Sequence, residues 1–205
     1  MSKELSNFGD HAEVTMQTKA AGNESVGIEG YYHVVCRDAD GNIKWEDKFP
    51  NLVNAVGKQL MFDTLLSGSA YTTVGPYLGL ISGASPTFAA ADTMTSHGGW
   101  TEFVNYTVGG SAVRGSPSFA AAATSSGTTP TNVTTKTATS VTYTITGAGG
   151  TVGGCFLVTG PGAVNTISPS PSTAGTLYSA GAFTTAKVTT AGDTVAVTYS
   201  TTATS

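Results

Sequence analysis

The segment ADTMTSHGGWTE, residues 91 to 102, contains the residue types that nucleophilic catalysis requires. A Ser nucleophile needs a His as its base and a third group that orients the His. Asp92, Ser96 and His97 supply all three types in a loop-like stretch, but any loop rich in Ser permits the same combination. We therefore predict that the chain has no catalytic residues and is not an enzyme.

The run Asp38, Asp40 and Asn42 resembles the first half of a calcium-binding loop, whose ligands alternate along the chain. Such a loop also needs Gly at its sixth position and a bidentate Glu at its twelfth. Here those positions hold Ile43 and Phe49. The sequence also lacks the CxxC, HxH and HExxH spacings of transition-metal sites. We predict no metal site.

The glycine-rich stretch GAGGTVGG, residues 147 to 154, is the nearest approach to a phosphate-binding loop. A GxGxxG motif that starts at Gly147 would need Gly where the chain has Val152, and no Lys followed by Ser or Thr comes after it. Strand-like runs flank the stretch on both sides. We therefore predict a hairpin turn here and no bound cofactor.

The composition is close to neutral and weakly polar. The chain has 205 residues and a net charge of -4, and 11% of its residues are charged, against a usual share of about 25%. No basic run offers the surface that phosphate backbones bind, so we exclude nucleic acid as a partner. No apolar run approaches the roughly 20 residues that cross a bilayer, and the polar N-terminus has no signal-peptide core, so we expect no membrane segment.

The two cysteines, Cys36 and Cys155, are far apart in sequence, and each lies in a strand-like run. They could form one disulfide. We favour two buried thiols, because free Cys is among the most buried residue types.

The pattern of the sequence changes near residue 27. Residues 1–27 are polar and unpatterned, with few apolar side chains to offset the cost of about 1–2 kcal/mol for fixing each backbone residue. We expect an N-terminal arm that is flexible alone or ordered on a partner. Its apolar residues Phe8, Val14 and Met16 are candidate interface residues. Residues 28–205 are predicted to form a single β-rich domain.

The first part of this domain predicts a β-hairpin and then a helix. Strand-like runs over residues 31–36 and 43–49 flank an Asp-Gly turn. Asn51 is the candidate cap of a helix over about residues 52–66. Gly57 predicts a close packing partner, since Gly in a helix costs up to about 1 kcal/mol relative to Ala. The apolar residues at helical spacing are Leu52, Val53, Val56, Leu60 and, at the end, Leu65.

The rest of the domain predicts strands. PYLGLIS, at residues 76–82, reads as a buried strand, and SVTYTIT, GCFLVTG and TVAVTYS, which begin at residues 140, 154 and 194, have a period close to two. Thr and Val favour strands. The predicted fold is all-β, an antiparallel sandwich or a jelly-roll-like arrangement, with one packed helix and an extended N-terminal arm. Within the poorly patterned stretch 110–139, residues 120–139 could form a strand pair or an exposed loop.

The two tryptophans are candidate contact residues. Trp45 alternates with Ile43 and Asp47 on a predicted strand, and we assign it to half-buried core. Trp100 ends the polar loop at residues 91–102, where an interface anchor and core packing are both open.

Four segments in sequence order carry a resemblance: DADGNIKWEDKFPNLVNAVGKQLMFDTLLSGSAYTTVGPYLGLIS, AADTMTSHGGWTE, TVGGCFLVTG and TLYSAGAFTTAKVTTAGDTVAVTYS. Together they cover roughly residues 30–105 and 140–200, and they resemble a family of small structural proteins of tailed double-stranded DNA bacteriophages. The resemblance implies a virion component without an active site. Within that family we expect a capsid cement or decoration protein, which lies on the outer surface of the shell, has the major capsid protein as its partner and stabilises the shell.

Two other functions are open. A tail or fibre component involved in host attachment has a similar low-charge surface rich in Thr, Ser and Gly. A carbohydrate-binding module would use Trp100 and Tyr106 as its sugar platform. We also expect a homo-oligomer, with a trimer as the first hypothesis, because edge strands rich in Thr and Val would otherwise pair without control.

Overall fold

The computed structural model describes residues 27–66, 74–125, 129–133, 140–170 and 174–204. In this part of the chain, twelve strands accompany a single helix, α1 (Ala55–Leu66). The strands are β1 (Gly27–Arg37), β2 (Ile43–Pro50), β3 (Leu52–Val53), β4 (Tyr77–Ser82), β5 (Thr101–Glu102), β6 (Tyr106–Thr107), β7 (Ala123–Ser125), β8 (Thr129–Val133), β9 (Val141–Ile145), β10 (Gly150–Thr159), β11 (Thr176–Thr189) and β12 (Thr194–Thr204).

The strands form two antiparallel sheets. In the seven-stranded sheet, β1 lies between β2 and β12, and β12 pairs with β9 along its first half and with β8 along its second. β6 continues this sheet beyond β9, and β7 continues it beyond β8. The five-stranded sheet has the order β3-β11-β10-β4-β5. The predicted all-β class, with an antiparallel sandwich and one helix, is confirmed.

Alternation along the strands builds the main core between the sheets. On β1, Tyr32, Val34 and Cys36 are fully buried, while the residues between them are more exposed. They lie opposite Tyr199, Val197 and Val195 of β12. These three residues alternate along the segment TVAVTYS and therefore share one face of the strand. The five-stranded sheet supplies the facing layer, with Leu78, Leu80, Val152, Cys155 and Leu157.

The five-stranded sheet is buried on both of its faces. Its second face carries another apolar cluster, in which Ile81, Phe156 and Leu177 of the sheet meet Met94 and Trp100 of the loop between β4 and β5. The helix α1 packs beside this loop against β11. Because both faces are covered, residues 152–158 of β10 are continuously buried, as is usual for strands between two layers.

The helix is shorter than predicted. Leu52 and Val53 form β3, which pairs with β11, and the helix begins at Ala55. Asn54, whose carbonyl accepts the first helical hydrogen bond from Lys58, occupies the cap position that the sequence prediction gave to Asn51.

Three predictions about glycine positions can be compared with the structure. Gly57 does have the predicted close partner, because a Cβ there would lie 2.6 Å from the Tyr178 carbonyl oxygen. The Asp-Gly turn between β1 and β2 is also confirmed, with Gly41 at φ +87°. The hairpin predicted at residues 147–154 is wrong, since β9 and β10 belong to different sheets and the turn between them crosses from one sheet to the other.

The terminal strands of the two sheets are short or charged. β3, β5 and β6 have two residues each and β7 has three. The longer terminal strand, β2, exposes Lys44, Glu46 and Lys48, and charges of this kind discourage pairing with another chain. β11 pairs with β3 only at Ser179 and Ala180, and beyond that pairing it exposes Thr184, Thr185 and Val188. Nothing in the described chain tests the trimer, which stays a prediction.

Candidate interaction surface

The loop that contains Asp92, Ser96 and His97 does not assemble a catalytic triad. The His97 Nδ1 lies 3.0 Å from the carbonyl oxygen of Trp100, and its ring stacks on the Trp100 ring at 3.7 Å between centroids. The Asp92 carboxylate accepts a hydrogen bond from the backbone N–H of Ala89 at 3.0 Å instead of orienting the imidazole. His97 is 4% exposed. Its ring therefore holds the loop against the sheet.

Both residues of the proposed sugar platform lie inside the molecule. Trp100 is 5% exposed and contacts Phe156 and Phe88, and Tyr106 is 1% exposed and packs edge-on against Tyr143. Neither ring presents a face to a sugar or to a partner protein. The structure thus places Trp100 in the core, which was the second of the two alternatives open for it.

A buried ion pair lies next to these aromatic rings. The Arg114 guanidinium donates from Nε to Glu102 Oε1 at 2.9 Å and from Nη2 to Glu102 Oε2 at 2.8 Å, and it also donates from Nη1 to the Val164 carbonyl. The backbone N–H of Ser168 donates to the same carboxylate. Burial, and then the charge of Glu102, raise the pKa of Tyr106. Since partners within the fold satisfy both charges, the pair joins β5 to the chain around residues 164–168 rather than binding a ligand.

The other groups with chemical potential are also occupied within the fold. Asp38, of the calcium-like run, accepts hydrogen bonds from the backbone N–H groups of Asp40 and Asn42, and so shapes the turn. Cys36 and Cys155 are free and buried, which is the favoured alternative. Burial raises the pKa of the Cys36 thiol to about 11 and raises that of Cys155 as well. Among the described residues, His, Cys, Asp and Glu form no group that could hold a metal ion.

A cleft of about 280 Å³ lies between the start and the end of the loop that joins β4 to β5. Its lining includes Ser82, Ser85, Thr101 and the buried Trp100. None of the lining side chains is charged. The cleft therefore offers a few hydroxyl and backbone groups, and no lining side chain is an acid or a base that could activate a hydroxyl.

Three of the four most exposed large apolar residues of the described chain lie at the end of α1, and the fourth is Val188 on β11, at 65%. Phe62, Leu65 and Leu66 are 63%, 74% and 76% exposed, and we call them together the helix-end surface. At about 100° of rotation per residue, all three fall on the side of the helix opposite Leu60, which is buried. Because large exposed apolar side chains are grouped here, this surface is a candidate for contact with another polypeptide segment.

The sheet beneath the helix explains this exposure. Leu60 packs at Gly160, where a Cβ would come within 2.9 Å of the leucine side chain. β10 ends one residue before this glycine, at Thr159. Leu65 and Leu66 continue roughly 7–9 Å further along the helix axis at 1.5 Å per residue. Gly57 and Leu60 are the buried residues of the helix, so α1 is packed in its first half and exposed at its end.

The sequence pattern did not predict the helix-end surface. It left Leu65 as a possible last member of the apolar series, and the structure exposes this residue. The available signal was the position of Phe62 and Leu66, which lie on the polar side of the predicted helix. The buried ion pair was missed as well. The sequence did contain a signal for this pair, because Glu102 and Arg114 are two of only five charged residues after Trp100 and have opposite charges.

The remaining candidate residues, Phe8, Val14 and Met16, and the predicted arm that contains them lie outside the described residues. Of the described segments, the helical one has 12 residues, which is too few to cross a bilayer. In comparisons with known proteins, no family model matches the chain, and no curated protein or solved structure matches it either.

Proposed function

We propose that this chain is a structural protein of a bacteriophage virion, and specifically a capsid cement protein that binds the outer surface of the shell and stabilises it. The observation that carries the proposal is the helix-end surface, in which three large apolar side chains stand 63–76% exposed on a chain of low charge. Such a surface favours a protein that works by contact with other polypeptides. The resemblance of four segments to phage structural proteins supports the choice of a phage particle.

The burial of the side chains that could take part in catalysis supports the same proposal. His97, the Glu102–Arg114 pair and both thiols are buried, and their hydrogen bonds and packing serve the fold. The described surface combines neutral Thr, Ser and Ala side chains with charges that lie mainly on β1, β2 and the turn between them. A cement protein needs a surface of this kind, because it gains strength from many weak contacts repeated over the shell.

The test of the proposal is the number of copies of this protein per particle. Quantitative mass spectrometry of purified virions should give a ratio to the major capsid protein of the order of one. A ratio lower by one or two orders of magnitude would contradict a cement role and assign the chain to the tail or to a single vertex. Absence from purified virions would overturn the virion proposal altogether.

A further inference from the structure

The described chain begins beside the helix-end surface. The carbonyl of Glu29, near the start of β1, accepts a hydrogen bond from the Thr201 hydroxyl at 3.0 Å. Thr201 also hydrogen-bonds the phenol of Tyr178, and that phenol donates to the Met61 sulfur at 3.6 Å. Met61 lies one helical turn before Leu65 on the same side of the helix. Four residues in contact thus lead from the start of β1 to the helix-end surface.

The chain that precedes β1 has the length and the composition to cover that surface. Met16 lies eleven residues before Gly27, so it can reach up to roughly 36–40 Å from the start of β1. The surface lies well inside this distance. Phe8, Val14 and Met16 provide apolar side chains in an otherwise polar segment, and Phe62, Leu65 and Leu66 are apolar side chains that the described chain leaves exposed.

We propose that residues 1–26 dock onto the helix-end surface of their own chain, with Phe8, Val14 and Met16 as the residues that cover Phe62, Leu65 and Leu66. The arm is then held at one place on the domain and is presented to a partner together with α1. This inference concerns the isolated protein, so it can be tested without a virion and can fail or hold independently of the cement role.

The experiment uses cysteine pairs in the full-length protein, with oxidised glutathione as the oxidant. Leu65→Cys is combined in turn with Phe8→Cys, Val14→Cys and Met16→Cys. The matched control pairs the same arm positions with Ile43→Cys, since Ile43 is also an exposed apolar residue, at 53%. Ile43 pairs with Arg37, about 26 Å along β1 from Glu29. The native thiols do not interfere, because both are buried and their raised pKa values leave little thiolate at neutral pH.

We expect at least one arm position to form an intramolecular disulfide with Leu65→Cys at least ten times faster than with Ile43→Cys. Intact-mass measurement without reductant distinguishes this product from a linked pair of chains. Equal rates at the two positions would overturn the proposal, because a freely moving arm samples both. Disulfides found only between two chains would also overturn it and would make a second copy the occupant of the surface.

A second measurement needs no cross-link. The full-length variant with Phe8→Ser, Val14→Ser and Met16→Ser should bind several-fold more of a dye that fluoresces on apolar surfaces than the native chain does. Adding Leu65→Ser and Leu66→Ser should abolish the increase. Unchanged dye binding after removal of the three arm residues would contradict the docking of the arm.

Discussion

The region around Trp100 and the end of α1 differ in how their side chains are satisfied. Around Trp100, an imidazole, an ion pair and several aromatic rings are almost completely buried and pack within the domain. The imidazole and the ion pair also have hydrogen-bond partners, whereas the Trp100 Nε1 has none in the described chain. At the helix end, Phe62, Leu65 and Leu66 have no charge or hydroxyl, yet most of their surface is in contact with solvent. The comparison teaches that the residue types associated with chemistry here stabilise the fold, whereas plain apolar residues provide the surface for contact.

The largest effect that would sharpen this comparison is expected at the buried ion pair. Arg114→Met leaves the Glu102 carboxylate buried without its cation, and we expect the free energy of unfolding to fall by about 3–5 kcal/mol. Urea denaturation measures the change, with Lys48→Met on the exposed face of β2 as the control. A loss below about 1 kcal/mol would mean that solvent reaches the pair and that the region is not the closed core described above.

In the packed first half of the helix, adding a single methyl group at Gly57 should lower the free energy of unfolding. Gly57→Ala places a Cβ within 2.6 Å of the Tyr178 carbonyl oxygen, so we expect a destabilisation of about 1–3 kcal/mol despite the better helix propensity of Ala. The control is Gly98→Ala, where the added Cβ meets no atom within 4 Å. If Gly57→Ala stabilises the protein, the first half of α1 is not packed against β11.

A partly exposed ion pair between Lys44 and Asp193 should give an intermediate, pH-dependent effect. Burial alone would raise the pKa of Asp193, but hydrogen bonds from Lys44 and from the Thr190 N–H hold it below the ordinary value of 3.8. A lowered folded-state pKa adds stability above about pH 4, and this stability is lost as the pH falls through the folded-state pKa. Asp193→Asn should therefore cost about 1 kcal/mol at pH 7 and progressively less below pH 4.

Urea titrations of both proteins between pH 2 and pH 7 check this prediction. The two curves should converge at low pH, because the native carboxyl is then protonated and resembles the amide. A difference that is constant over this range would show that the Lys44–Asp193 pair does not set the acid stability.

The smallest effect on stability is expected at the helix end itself. Phe62→Ser and Leu65→Ser remove apolar surface that is already 63% and 74% exposed in the described chain, so each should change the free energy of unfolding by less than about 0.5 kcal/mol. Thermal and urea denaturation provide the measurement. A loss of 2 kcal/mol or more at either position would show that the side chain belongs to the core of the domain and not to a contact surface.

Local pattern predicted the parts of the fold that local physics controls. The Asp-Gly turn before Ile43 follows from the tolerance of Gly41 for positive φ, and the faces of β12 follow from alternation, because only one side of that strand meets the core. The helix was predicted, but its start was placed too early, because Leu52 and Val53 pair with β11 as a short strand.

The candidate site could be predicted far less well, because its features depend on how distant segments pack. Leu65 is exposed because the buried part of the helix ends at Leu60, and no pattern within the helix encodes where the packing against β11 ends. Trp100 is buried because its loop folds back over the five-stranded sheet. A loop aromatic at the surface and one in the core have the same local sequence.

The most direct test of the proposed cement role compares how variants in the two regions bind to virions that have been depleted of this protein. Phe62→Ser with Leu65→Ser and Leu66→Ser alters the helix-end surface, and Ser85→Phe obstructs the cleft beside Trp100. Titration of labelled protein onto the particles should show that the helix-end variant binds at least about tenfold more weakly and that the cleft variant binds like the native chain. Native binding by the helix-end variant, with loss of binding by the cleft variant, would contradict the claim.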